Sequence, residues 1–193
     1  MENLKKESPR IIFLEGKKVI LRPVNKETDL QKSLKWINDP GIRQFISVFL
    51  PTNKKQEEEW FDREEKNNVR LAIETKEGKY IGNISLAGID YRHGIAEVGI
   101  FIGEKQYWNR GYGTDATMIL LEYAFNVLNL RKIKWRAFAF NGRSIDCSKK
   151  CGYKVEAVLK KEWFKDGKYV DMVCLAIFKK DFLKTWRDYQ NGS

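Results

Sequence analysis

The chain has 193 residues and a mass of 22.7 kDa, enough for one domain with a core of its own. Hydrophobic residues make up 42% and aromatics 13%, which excludes a disordered or low-complexity chain because so much apolar surface cannot stay in water. Lys and Arg total 36 against 26 Asp and Glu, a net charge of +10 that suits a phosphate-bearing ligand, nucleic acid or an acidic surface but does not bear on fold.

After a polar start ending at Ser8-Pro9-Arg10, the runs Ile11-Ile12-Phe13-Leu14 and Val19-Ile20-Leu21 flank Glu15-Gly16-Lys17-Lys18, the pattern of a short hairpin closed by Pro23. Residues 1–17 read as an N-terminal extension, a short strand or arm. The start lacks the apolar centre of a signal peptide, and the apolar run is far below the about 20 residues of a membrane span. A cytoplasmic protein without a membrane partner is expected. Leu30, Leu34 and Ile37 recur at helical spacing after Thr28 and stop before Asp39-Pro40-Gly41; a second helix is expected over 56–66. The period then becomes two, giving strands from Val69, over Ile81 to Leu86 and over Ile95 to Ile102, an antiparallel meander. Ala116, Leu120, Ala124 and Leu128 form the apolar row of a helix over 113–128, and Ile133, Trp135, Ala137 and Ala139 return to strand spacing. A short helix from Ser144 ends at Gly152, two strands are joined through Asp166-Gly167, and a closing helix with a tail covers 183–193. The order predicts an α/β domain with a mixed sheet. Cys147, Cys151 and Cys174 with the single His93 cannot furnish an ordinary closed zinc site, so reduced thiols and no metal are expected.

The sharpest local signal is Trp108-Asn109-Arg110-Gly111-Tyr112-Gly113-Thr114, between a strand and a long helix. Glycines there let successive N–H groups and a helix start face one point, an anion site. A glycine turn without a ligand fits the local pattern equally well. Gly111-x-Gly113-x-x-Ala116 also matches the relaxed dinucleotide fingerprint, but the preceding strand ends near Ile102, and no carboxylate follows the next strand to hold a ribose. No Gly-Lys-Ser/Thr follows, which excludes a nucleoside triphosphate loop.

Glu97-Val98-Gly99-Ile100-Phe101-Ile102, Trp108-x-x-Gly111-x-Gly113-Thr114, Asn141-x-x-Ser144 and Lys150-Cys151-Gly152-Tyr153 together resemble the GNAT superfamily of acetyl-CoA-dependent N-acetyltransferases. Leu21-Arg22-Pro23, Trp36-Ile37-Asn38-Asp39-Pro40 and Gly167-Lys168-Tyr169-Val170-Asp171 make the sequence most similar to the branch that acetylates the amino termini of ribosomal proteins, the RimJ/RimL type. The resemblance covers 18–182 and implies one acetyltransferase domain, a mostly antiparallel sheet of about seven strands with helices on both faces.

It also implies roles. Backbone around Ile100, Phe101 and Ile102 would bind the thioester carbonyl and the forming oxyanion. Amides of the loop that Trp108 and Asn109 open and Arg110, Gly111, Tyr112, Gly113 and Thr114 continue would bind the pyrophosphate. Asn141 would bond the pantetheine arm, and Arg110, Arg143, Lys149 and Lys150 would meet the adenosine phosphates. Glu97 is the first candidate base and Glu162 the second, each fitting equally a strand-end charge facing water; Ser144 would steady or protonate the thiolate. Where some polyamine-acetylating relatives carry a tyrosine general acid, this sequence has Ser148, which argues against a mechanism built on that tyrosine.

His93, before Gly94, reads as a turn residue, and Cys147 and Cys151, four apart, as packing. Glu57-Glu58-Glu59, with Asp62, Glu64 and Glu65, reads most simply as a solvated helix face; because it lies on the helix pair that shapes the acceptor side in this superfamily, it could also attract a cationic amine. The preferred acceptor is a protein N-terminus, with polyamine, amino sugar and aminoglycoside open and ribosome association implied, in a monomer or homodimer. The competing class is a non-catalytic basic module that binds RNA or ribosomes.

Overall fold

In the computed structural model, which describes residues 11–64 and 66–192, four helices begin where an Asn or Asp side chain takes up a free N–H of the first turn. Strands β1 (Leu14–Glu15) and β2 (Val19–Pro23) form the hairpin. Helix α1 (Lys26–Asn38) starts earlier than its apolar spacing suggests, because the Asn25 side chain accepts from the amides of Glu27 and Thr28. Asp39 ends it and caps the single turn α2 (Pro40–Arg43). Asn53 and Gln56 form a reciprocal capping box that starts α3 (Lys54–Asp62), shorter at its C-terminal end than expected.

The meander β3 (Val69–Thr75), β4 (Tyr80–Asp90) and β5 (Ile95–Ile102) follows, then α4 (Tyr112–Glu122) and β6 (Lys132–Phe138). Helix α4 widens over Tyr123–Val127, where the Leu128 amide reaches back five residues to the Tyr123 carbonyl. The chain finishes as α5 (Gly142–Lys150), β7 (Lys154–Lys165), β8 (Lys168–Phe178) and α6 (Lys179–Asn191). Asp166 and Gly167 both take positive φ, 48° and 81°, the left-handed pair that a tight hairpin turn demands.

Among the described residues the sheet has eight strands in the order β1-β2-β3-β4-β5-β6-β8-β7, and every neighbouring pair is antiparallel except β5 and β6. The strand beyond the expected seven is the two-residue β1. On one face, Ala116, Leu120 and Ala124 of α4 and Phe182 of α6 pack with Leu21, Ile73, Ile84, Val98 and Ile133 into the main core. On the other, Trp36 of α1 packs with Ala72 and Tyr80 and beside the Phe101 ring. A Cβ on Gly103 would fall 2.0 Å from the Trp36 ring, so glycine is what lets α1 settle onto the end of β5.

The two chain ends meet at Asp115, buried in the first turn of α4. Its carboxylate accepts from the amides of Lys17, Lys18 and Val19 and from the Tyr189 hydroxyl at 2.6 Å. The approach is close enough that a Cβ on Gly16 would sit 2.4 Å from Asp115 Oδ2. Residues 14–19 and α6 are therefore built into the same body as the rest; the part of the expected N-terminal extension over 1–10 lies outside the described residues.

Candidate active site

The site begins where two strands part. β5 pairs with β6 only from Ile95 to Val98, yet stays paired with β4 as far as Ile102. Strand groups alternate sides. The Gly94 carbonyl accepts from the amides of Arg131 and Lys132, and the Ile102 carbonyl accepts from Trp108 Nε1 at 2.7 Å, both away from β4. The Gly103 amide donates to Ile81 of β4. Even-numbered groups thus face the β6 side, so the N–H that opens into the wedge belongs to Ile100, whereas that of Phe101 faces Asn83. The expectation of an amide around Phe101 narrows to its neighbour.

The wedge leads into the glycine loop. Asn109 and Gly111 hold φ of 59° and 84°, turning the chain so that Gly111 becomes the N-cap of α4 without any capping side chain. Among the described residues no main-chain acceptor meets the amides of Asn109, Arg110 and Gly111. Those of Tyr112, Gly113 and Thr114 are first-turn donors with no partner within the helix. Six amides at a helix start are available to an anion. Asp115, which would oppose one, has its charge taken up by four donors from behind.

A cavity of about 710 Å³ runs from this loop across the wedge to the faces of α1 and α3. At the loop end Asn141 caps α5 with Oδ1 on the Ser144 amide, which leaves its NH₂ for the cavity. Ser144 Oγ accepts from Trp135 Nε1 at 2.9 Å, so its own proton is available to a group at the wedge. Beyond the wedge, Glu97 lines the cavity with its carboxylate held by Arg136 Nε at 3.1 Å.

Residues 18–154 match the sequence profile of the acetyltransferase (GNAT) domain. The chain belongs to the GNAT acetyltransferases. It is 28% identical over 170 residues to the spermidine N(1)-acetyltransferase of Escherichia coli K12, covering 86% of this chain and 88% of that one. It is 22% identical over 173 residues to the SPbeta prophage-derived N-acetyltransferase YokL of Bacillus subtilis, covering 89% and 96%. In fold it resembles the Vibrio cholerae spermidine N-acetyltransferase crystallised with CoA and spermine, at a TM-score of 0.80 and 24% identity, over 86% of this chain and 98% of the other.

Acetyl-CoA is the co-substrate of this enzyme family, and the residues present fit it: free loop amides for a diphosphate, the Asn141 NH₂ for an amide-bearing arm, and a strand N–H at the wedge for a thioester oxygen. Of the residues singled out for it, Ile100, Phe101, Ile102, Trp108, Asn109, Gly111, Tyr112, Gly113, Thr114, Asn141, Arg143 and Lys150 line the cavity. Arg110 and Lys149 are exposed outside it. Arg143 is drawn over the cavity as a roof, its guanidinium 3.6 Å from the Trp108 ring centre and 4.6 Å from that of Phe45, and burial lowers its basicity.

Glu162 is exposed on the β7 bulge, and Trp163 beside it faces the cavity instead. His93 is exposed, with Nδ1 2.7 Å from Asp90 in a turn outside the cavity. Cys151 is buried as expected of packing, but Cys147 lines the cavity, its thiol made more acidic by hydrogen bonds from Cys151 and Thr114.

Two residues take places that the sequence reading did not give them. Lys18 places Nζ 2.9 Å from the Arg110 carbonyl and would lie 3.5 Å from a Cβ on Gly111, a cation at the phosphate loop brought from the far end of the chain. Glu57 is the second. It is not part of a solvated face: only 3% of it is exposed, and Oε1 accepts from Ser33 Oγ at 2.6 Å across the α1–α3 contact.

Proposed function

We propose that this acetyltransferase acts on a primary amine of a small polyamine, the amine attacking directly with both substrates bound. The observation that carries the reading is the polar floor of the acceptor half. Arg70, Asn83, Ser85 and Glu97 share one face of β3, β4 and β5 beneath α1 and α3, where a purely structural contact would be apolar. The likeness to relatives named for spermidine acetylation supports this acceptor over the protein N-terminus suggested by the motifs. One observation favours the N-terminus as a second reading, namely the Ser144 hydroxyl at the wedge, which matches the serine of the ribosomal-protein branch.

In this reading the amine arrives protonated and loses its proton to Glu97, directly or through one water, with Arg136 fixing the carboxylate. The nitrogen attacks the thioester carbonyl carbon. The Ile100 amide donates to the carbonyl oxygen as negative charge gathers there. The C–S bond breaks, and the Ser144 hydroxyl, oriented by Trp135, gives its proton to the departing thiolate while taking up the second proton that the attacking nitrogen still carries, so that a neutral amide and the free thiol are released and Ser144 is restored. Ser148 has no part, since its hydroxyl is buried and donates to the Ile145 carbonyl at 2.8 Å.

Thiol release from acetyl-CoA, followed with spermidine, an amino sugar and a peptide with a free N-terminus, tests the assignment. Turnover with spermidine is expected. Turnover with the peptide alone would replace the acceptor, and salt-sensitive RNA binding without thiol release from any amine would replace the enzyme with a binding module.

A further inference from the structure

We propose that Glu57 and Ser33 form the subsite that holds the second, non-reacting ammonium group of an aliphatic diamine or polyamine; the inference rests on the functional reading above and adds to it the feature by which such an acceptor is recognised. Glu57 is the first of three consecutive carboxylates on α3, and α3 turns it inward while Glu58 and Glu59 stay on the outer side. It lines the acceptor end of the cavity with Ser33 and Ile37 of α1 and Trp60 of α3.

A carboxylate in this position costs stability unless it is paired, and a leucine would join α1 to α3 at lower free energy. The pairing it has is incomplete. Ser33 donates to Oε1, whereas among the described residues neither a cation nor any other donor meets Oε2. The nearby guanidinium of Arg70 is engaged elsewhere, donating to the carbonyls of Trp60 and Arg63 and stacking on the Trp60 ring. Burial accordingly raises the Glu57 pKa, against the weaker lowering by Ser33. An incoming ammonium supplies the missing charge and hydrogen bond together. Glu97 stands on the sheet floor of the same cavity, already paired with Arg136 and placed to serve the reacting amine. Two carboxylates with different partners thus divide the acceptor's two nitrogens, one for proton removal and one for anchorage.

Steady-state kinetics with 1,4-diaminobutane and butylamine, which differ only in the second nitrogen, test the subsite. Glu57→Gln keeps the shape and the acceptor for Ser33 while removing the charge. It should raise the KM for the diamine about tenfold or more, with the butylamine and acetyl-CoA KM values unchanged. Glu57→Asp should recover part of the loss. Equal diamine KM values in wild type and Glu57→Gln, or an equal rise for both amines, would overturn the subsite while leaving the acetyltransferase assignment standing. Wild-type enzyme that acetylates neither the diamine nor spermidine would instead remove the functional reading and the subsite with it.

Discussion

Around Gly111 the cavity wall offers main chain, the amides of the loop and the first turn of α4 having no main-chain acceptor among the described residues, with the Asn141 carboxamide beside them. At the other end, under α1 and α3, the wall is side chain: Ser33, Glu57, Trp60, Arg70 and Asn83 arrive from four elements, each held by its own hydrogen bond or ring contact. A main-chain wall suits a ligand part that never changes, a diphosphate. A side-chain wall can be rebuilt one substitution at a time without disturbing the sheet. Substitutions in the two regions should therefore separate cleanly into effects on acetyl-CoA and effects on the amine.

The largest effect should come from Gly111→Asp. A carboxylate introduced among amides that would face a diphosphate should meet a repulsion of about 2–4 kcal/mol at short range, which corresponds to roughly a 30- to 1,000-fold rise in the KM for acetyl-CoA. Gly111→Asn keeps nearly the same shape and tolerates the positive φ of 84°, so it isolates the charge and should raise that KM far less. Equal effects of the two variants, measured by thiol release with amine saturating, would show that the loop does not hold the diphosphate.

The wedge between the regions comes next. Glu97→Gln should lower kcat about 100-fold, the low end for loss of a general base, with the acetyl-CoA KM little changed. The loss should shrink as pH rises and more of the amine enters deprotonated. Ser144→Ala should cost kcat about tenfold and leave an indole donor unpaired, so a Ser144→Thr control, which restores the hydroxyl, distinguishes donation to the thiolate from the loss of the Trp135 contact. A Glu97→Gln enzyme with normal turnover across the pH range would pass the proton to water.

The same division explains what could be read from the sequence. The loop is legible because its chemistry is local: Gly111 and Gly113 at a strand-to-helix junction predict free amides without knowledge of the rest of the fold. The meander and the Asp166-Gly167 turn are legible for the same reason, through alternation and left-handed residues. Lys18 was not, because it reaches the loop only through Asp115, whose carboxylate gathers the amides of the distant β1–β2 turn. Among Ile100, Phe101 and Ile102 the sequence leaves open which N–H faces the wedge, because that is set by the pairing of β5 with β4, and composition carries no trace of that parity. Glu57, Glu58 and Glu59 are identical in the sequence, and only the packing of α3 on α1 sets the first apart from its neighbours. The single signal that pointed inward was the period of α3, in which Glu57 shares a face with Trp60 and Phe61.

The smallest effect, on stability, sharpens the comparison furthest, because a main-chain wall should show no such cost. Burial raises the Glu57 pKa in the folded chain, so between the unfolded and folded pKa values the native state holds the proton more tightly than the unfolded chain does. Stability from this group is present at acid pH and is lost as pH rises through the folded pKa, where the carboxyl must ionise without a cation beside it. Glu57→Gln, which has nothing to ionise, should therefore melt at a higher temperature than wild type at about pH 8, with the gain shrinking toward about pH 4. Adding 1,4-diaminobutane should raise the melting temperature of wild type more than that of Glu57→Gln, since only the carboxylate gains a partner. Wild-type melting at or above that of the variant at alkaline pH, with no added amine, would mean that Ser33 alone satisfies the carboxylate and that the acceptor end carries no stored cost for a second ammonium to relieve.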